Sequence, residues 1–202
     1  MDKKTVISNF KPEAVANTTL ALKNFAGLRD DQLNWKPAPE RWSINQCLEH
    51  INITTRHWTK EVKRVVESGG KKTDNAGEYH RTGIGGFLIR SLLTPKPRKF
   101  KTSKNFDPPT TLDSKKVMKD FIDLQRQWED EIDKIQEYDI VRNRVHSPFF
   151  HPITYRLGNG IELNNIHTRR HLTQAVNVMK EPGFPGNLSF TQPEPGERAR
   201  ER

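Results

Sequence analysis

The sequence predicts an all-α protein, a four-helix bundle with one long crossover connection. Four long segments carry apolar side chains at intervals of three and four residues, which is the spacing of one face of an α-helix. Little of the chain shows the alternation of polar and apolar residues that is typical of strands. About 40 residues separate the second helix from the third, enough to run the length of a bundle, so these two helices are predicted to be parallel.

Length and composition limit the class of protein. The 202 residues suit one domain over 1–180, with 70–109 as the long insertion that forms the crossover and 181–202 as a flexible C-terminal tail. The hydrophobic share is 33% and the mean hydropathy is −0.85, so narrow apolar stripes must form the core. Because no apolar run approaches the ~20 residues of a membrane span and no signal peptide precedes the domain, we expect a cytoplasmic protein with no membrane partner.

The first helix is predicted over residues 6–28, with Pro12 and Glu13 in its first turn. Residues 33–43 follow as a packed connector. Pro37 and Pro39 exclude a regular helix there, and the connector's tryptophans require burial. All four tryptophans, Trp35, Trp42, Trp58 and Trp128, are interpreted as packing residues rather than ligand-stacking groups.

The second helix is predicted over residues 43–68, with Ser43 as its N-cap. Cys47 lies in its apolar stripe, which favours a buried thiol over a catalytic one. His50 lies on the flank of that stripe and faces a neighbouring helix. His57 is two helical turns away, about 10 Å along the axis, so it cannot share an ion with His50 through this helix.

The passage over residues 70–109 includes a short predicted helix, Gly83 to Leu93. A run of five basic residues without an acid follows it. This run is interpreted as a solvated loop, with an anion contact as the alternative. The five residues are Lys96, Arg98, Lys99, Lys101 and Lys104.

The third helix is predicted over residues 112–137 and has the clearest amphipathic pattern in the chain. A connector over 139–152 contains His146 and His151 as further candidate ligands, although the prolines beside them are typical of a loop. The fourth helix is predicted from about Pro152 to Lys180, with Gly158 and Gly160 as weak points.

His167 and His171 are the strongest candidate site residues, because two histidines four residues apart lie on one face of the fourth helix. Buried histidines need partners, so two explanations compete: a transition metal, or hydrogen bonds to neighbouring side chains. Thr168 stands where the zincin motif has a glutamate, which excludes that motif. In a bundle, His50 could meet this pair, and three neutral imidazoles would leave an ion with an open coordination position.

The sequence also resembles a known family. The stretches that carry the resemblance are Asn34-Trp35-Lys36-Pro37-Ala38-Pro39, Arg41-Trp42-Ser43-Ile44, Cys47-Leu48-Glu49-His50-Ile51 and the His167-x3-His171 pair. Over residues 5–180 these are similar to the DinB/YfiT-like superfamily. The resemblance implies an up-down-down-up four-helix bundle with a divalent metal, zinc or nickel, on His50, His167 and His171. It also implies thiol-dependent transferase, isomerase or hydrolase chemistry, and a homodimer.

We therefore expect a metal-dependent enzyme that activates a thiol or water for attack on a small electrophilic substrate, of thiol-S-transferase or hydrolase type. Asn164 and Gln174 could orient ligands, with a capped or solvated amide as the alternative. One rival is a non-catalytic, metal-stabilised binding or stress-response module. The other is nucleic-acid binding by the basic run, which we do not expect because two phenylalanines are too few for a stacking platform. No P-loop, dinucleotide fingerprint or nucleophile elbow supports other enzyme classes.

Overall fold

The computed structural model describes residues 1–94, 106–148 and 152–186. Six α-helices and one small antiparallel hairpin lie in these ranges. In chain order they are α1 (Lys3–Phe25), α2 (Asp30–Asn34), α3 (Ile44–Glu67), α4 (Gly83–Leu93), α5 (Ser114–Lys134), β1 (Arg144–His146), β2 (Thr154–Arg156) and α6 (Leu157–Val178), with a 3-10 turn at Ile135–Glu137 after α5.

The four long helices α1, α3, α5 and α6 form the predicted four-helix bundle. Two contacts along each pair of helices give their relative directions. Helix α1 is antiparallel to α5, α3 is antiparallel to α6, and α3 is parallel to α5. The course is therefore up-down-down-up, as expected. Between α1 and α5, Lys11 contacts Asp133 and Thr18 contacts Glu129. Between α3 and α5, Asn45 contacts Ser114 and Asn52 contacts Val117. Between α3 and α6, His50 contacts His167 and Trp58 lies against Gly160.

The parallel arrangement of α3 and α5 depends on the crossover between them. The predicted helix from Gly83 to Leu93 is confirmed as α4, which packs against α6. Gly85 permits this close approach, because a Cβ there would lie 2.7 Å from the Asn159 side-chain nitrogen. The predicted basic run, Lys96 to Lys104, lies outside the described residues, as does His151.

The chain before α6 differs from the prediction. The fourth helix begins at Leu157 rather than near Pro152, because residues 154–156 pair with 144–146 as a hairpin. Val145 and Tyr155 are cross-strand partners and both are buried, while the other residues of the two strands are exposed or half-buried. A strand with a single buried residue is too short for its alternation to be recognised in the sequence.

Two further boundaries differ from the prediction. The first helix begins at Lys3, where the Asp2 carboxylate accepts a hydrogen bond from the Thr5 backbone N–H at 2.8 Å, so Pro12 lies inside the helix rather than in its first turn. The connector after it includes the short helix α2. An N-cap contributes about 1 kcal/mol, less than the roughly 3 kcal/mol that an interior proline costs, so the burial of Val6, Ile7 and Phe10 must also stabilise these first turns.

The first residues of the predicted tail are packed against the bundle. Phe184 is buried, and its ring meets Trp35 edge-on at 5.6 Å between ring centroids. Gln32 Nε2 donates to the Pro185 carbonyl oxygen at 2.8 Å. Residues 181–186 therefore belong to the folded domain, and the flexible tail remains a prediction for 187–202.

Candidate metal centre

His50 is placed by the capped start of α3. The Ser43 hydroxyl accepts from the Gln46 N–H at 3.1 Å, and the Gln46 side-chain oxygen accepts from the Ser43 N–H at 3.2 Å. This reciprocal capping box fixes the first turn, so His50 falls in the second turn facing α6. His50 is buried, and the Thr54 hydroxyl donates to its carbonyl oxygen at 3.0 Å.

The other two histidines are placed by α6, which starts without a side-chain cap. Its first backbone N–H groups are satisfied instead by loop carbonyls: Leu157 N–H donates to Asn143 and Gly158 N–H donates to Ile140, each at 2.9 Å. From this start, His167 and His171 reach the level of His50 on the face that packs against α3. Both residues are half-buried.

The three histidines converge through their Nε2 atoms. His167 Nε2 lies 3.1 Å from His50 Nε2 and 3.1 Å from His171 Nε2. Nitrogens about 2.0–2.1 Å from one ion would lie about 3 Å apart at an angle near 100°, so the spacing fits a single transition-metal ion. Within the described ranges, this is the one group of three or more histidine, cysteine or acidic residues with such spacing.

Hydrogen bonds to the opposite ring nitrogens indicate which Nε2 atoms carry a lone pair. His50 Nδ1 donates to the Phe106 carbonyl oxygen at 2.8 Å, and His171 Nδ1 faces the Gln174 side-chain oxygen at 3.1 Å. In the neutral rings, each Nε2 then carries a lone pair. His167 Nε2 can donate a proton to one neighbour but not to both, so at least one of the neighbouring Nε2 lone pairs would have no proton facing it. One metal ion would satisfy all three.

Burial keeps the imidazoles in the neutral form that binds metals. Desolvation is the largest cause of a lowered pKa at all three histidines, and it lowers the pKa of His171 to about 3. The charges that the other two rings would carry lower the pKa of His167 further. The rings therefore present lone pairs rather than protons near pH 7.

Comparisons with known proteins identify the family of this chain. Residues 13–175 match the sequence model of the DinB superfamily, which is most of the chain. The chain belongs to the DinB superfamily. This confirms the resemblance seen in the sequence, and the match includes all three histidines.

Two proteins of Bacillus subtilis are similar to this chain. An uncharacterized protein of strain 168, YuaE, is 28% identical over 159 residues, covering 77% of this chain and 88% of YuaE. The solved structure of YfiT has a TM-score of 0.54 and 11% identity over 88% of each chain, and YfiT is described as a probable metal-dependent hydrolase with an unusual four-helix bundle topology. At this identity, the structural likeness shows the shared bundle fold alone.

An indole covers one side of the DinB-like triad. The half-buried Trp42 ring lies 4.9 Å from the His50 ring and 5.7 Å from the His171 ring, centroid to centroid. Sequence reasoning interpreted Trp42 as packing and did not place it at the site. Its signal was its position immediately before the Ser43 cap, which fixes the indole at the end of α3 that carries His50.

The other candidate side chains lie elsewhere or are inert. His57 Nε2 donates to the His146 carbonyl oxygen at 3.2 Å, and His146 Nδ1 lies 2.9 Å from a Glu61 carboxylate oxygen. Both histidines thus serve the contact between α3 and β1. Cys47 is buried as predicted, and desolvation raises its thiol pKa to about 12, so it is protonated and unreactive at neutral pH.

The two amides weighed as orienting groups have different surroundings. Gln174 meets His171, as described above, whereas both polar atoms of the buried Asn164 side chain lack a hydrogen-bond partner. The Phe106 carbonyl was not foreseen, because a backbone acceptor leaves no signal in the sequence.

Over the described residues, no helix combines the length and apolar character needed to cross a bilayer.

Proposed function

We propose that this protein is a divalent-metal-dependent enzyme in which His50, His167 and His171 hold the ion through Nε2. The convergence of the three Nε2 atoms carries the proposal. Imidazole donors suit zinc and nickel among the available transition metals, and we propose one of these two. The reaction is attack by water or a thiol on a small electrophilic substrate, of hydrolase or thiol-S-transferase type.

The donor set favours catalysis over a closed structural site. Three histidines leave at least one coordination position of the ion open, and His167 and His171 are partly exposed, so a small molecule has a route to that position. An ion held there would act as a Lewis acid and would make water or a thiol nucleophilic near neutral pH. The description of YfiT as a probable metal-dependent hydrolase favours water as the first nucleophile to test.

This chain's own residues orient and shelter the site. The Phe106 carbonyl and Gln174 hold two rings with Nε2 facing inward, and Trp42 shields the His50 and His171 rings on one side. No carboxylate joins the triad within the described part of the chain. In the proposed reaction the ion itself, rather than a carboxylate, activates the nucleophile. We also propose a cytoplasmic location and a homodimer.

Metal analysis tests the site. Purified untagged protein, measured by plasma mass spectrometry, is expected to contain close to one zinc or nickel per chain, and His50→Ala and His167→Ala are expected to lose it. His57→Ala is the matched control, because His57 lies on the same helix but donates to a backbone carbonyl of β1. A wild type that contains no metal and takes up neither zinc nor nickel would reject the proposal.

Activity separates the enzyme from its rival, a metal-stabilised binding or stress-response module. Metal-loaded protein would be incubated with small esters, and separately with 1-chloro-2,4-dinitrobenzene and a low-molecular-weight thiol. Turnover in the wild type that disappears in His171→Ala supports catalysis. Metal-dependent melting without turnover in either assay favours the rival.

A further inference from the structure

The second ring nitrogens of the triad are not equally satisfied. His50 Nδ1 donates to the Phe106 carbonyl and His171 Nδ1 meets Gln174, but His167 Nδ1 is buried without a partner. An imidazole that binds a metal through Nε2 carries its proton on Nδ1, and metal-binding histidines nearly always donate that proton. The central histidine of the triad therefore has an unmet donor.

Asn164 offers an unmet acceptor beside it. The Asn164 side chain is 1% exposed, and neither carboxamide atom has a hydrogen-bond partner. Asn164 lies one helical turn before His167 on α6, where side chains three residues apart are neighbours. Helical side chains lean toward the N-terminus, so the His167 ring extends toward the turn that carries Asn164.

Other buried polar atoms without partners fit His167 less well. The unpartnered atom of Gln125 is Nε2, a donor, which cannot accept a proton from Nδ1. Thr168 lies about 100° around α6 from His167, whereas Asn164 lies about 60° away. Thr55 belongs to α3 and lies about 140° around that helix from His50. Asn164 is therefore the best-placed acceptor of the four.

We infer that Asn164 is a positioning residue whose side-chain oxygen accepts the Nδ1–H of His167 and so turns His167 Nε2 toward the metal. This assignment rests on the proposed function. The terminal torsion of asparagine is soft, so the amide oxygen can turn toward the ring without movement of the backbone. Each ligand then has its own acceptor: a backbone carbonyl for His50, an exposed amide for His171 and a buried amide for His167.

Substitution at Asn164 separates metal binding from folding. Asn164→Leu keeps the number and branching of the side-chain heavy atoms but removes the acceptor, whereas Asn164→Asp keeps an acceptor. Zinc affinity, measured by competition with a chromogenic chelator, is expected to fall about 10- to 100-fold in Asn164→Leu. It is expected to equal or exceed the wild-type affinity in Asn164→Asp. The melting temperature of metal-free Asn164→Leu is expected not to fall, because an unpartnered buried amide is replaced by an apolar group.

A control and a spectroscopic readout complete the test. Thr59→Val removes another buried, unpartnered polar atom, on α3 nine residues beyond His50, and is expected to leave zinc affinity unchanged. In zinc-loaded wild type with 15N-labelled histidine, NMR is expected to show a protected, hydrogen-bonded Nδ1–H on His167 that is absent in Asn164→Leu.

The possible failures are distinguishable. Unchanged zinc affinity in a folded Asn164→Leu variant overturns the role of Asn164 and leaves the metal site standing. If that variant does not fold, an unprotected His167 Nδ1–H in the zinc-loaded wild type overturns the role on its own. A wild type that binds no zinc or nickel overturns the proposed function and this assignment together.

Discussion

At the residue scale, two histidines of α3 have different roles, because one faces the imidazoles of α6 and the other faces β1. His50 meets two imidazoles of α6, whereas His57 meets a backbone carbonyl of β1. The same strand is tied to α3 by Glu61, whose carboxylate accepts from the His146 backbone N–H at 2.8 Å and from Arg64 at 2.9 Å. The polar contacts around His57 therefore hold the hairpin, and those around His50 shape the candidate metal site.

Glu61 gives a prediction about acid stability. Burial alone would raise the pKa of Glu61, but hydrogen bonds from Arg64 and from the backbone and side chain of His146 outweigh it and lower the pKa to about 2. Because the folded-state pKa lies below the usual 4.5, the charged carboxylate stabilises the fold above about pH 4.5, and this contribution is lost as the pH falls toward 2. Glu61→Gln is expected to lower the free energy of unfolding by about 1–3 kcal/mol at neutral pH.

Urea unfolding of both proteins between about pH 7 and pH 3 measures this effect. The difference between wild type and Glu61→Gln is expected to shrink below about pH 4.5, since protonated glutamate resembles glutamine. Glu67→Gln on the same helix is the control, because its pair with Lys63 is exposed and long, at 3.6 Å, and contributes little at any pH. A difference that stays constant with pH would contradict the assignment.

At the element scale, the site depends on how closely α6 approaches α3. Two turns below His167, Gly160 lies against Trp58 and Val145: a Cβ there would meet Val145 Cγ2 at 2.5 Å and the Trp58 ring at 2.9 Å. A glycine inside a helix costs about 1 kcal/mol relative to alanine. Gly160 is therefore explained by contact between the two helices that carry the triad.

Gly160→Ala is expected to destabilise the protein despite the gain in helix propensity. Overpacking typically costs about 1–3 kcal/mol, which exceeds the helix gain of about 1 kcal/mol, so the melting temperature should fall. Zinc affinity should fall with it, because α6 must move relative to His50. Gly27→Ala is the control, since a Cβ there has no atom within 4 Å. A Gly160→Ala variant as stable as wild type would contradict this prediction and show that Trp58 and Val145 can move to make room for the added methyl group.

The sequence could predict those features whose residue pattern repeats over many positions. The long amphipathic helices and the facing histidines were predictable, because a repeat over five or six turns records which face is buried. The two three-residue strands were not, since each buries a single side chain. The Phe106 carbonyl was not predictable either, because it meets His50 from 56 residues away and any residue type supplies a carbonyl.

At the scale of the whole molecule, contacts beyond α6 extend the folded domain to residue 186. The contacts that attach residues 181–186 to the bundle differ in expected energy. The Arg41–Glu181 ion pair, at 2.5 Å, has an arginine side chain that is 46% exposed, so it contributes little. The ring of Phe184, 4% exposed and edge-on to Trp35, should dominate.

Truncation tests this order of energies. A chain that ends at Gly186 is expected to keep the melting temperature of the full-length protein, whereas a chain that ends at Lys180 should lose about 3–5 kcal/mol of unfolding free energy, the usual cost of removing a buried phenylalanine. Phe184→Ala in the full chain should reproduce most of that loss, and Glu181→Gln should reproduce little of it. Urea unfolding followed by circular dichroism measures all four. If the chain ending at Lys180 were as stable as the full chain, the domain would stop at α6 and the contact of Phe184 with Trp35 would contribute nothing to folding.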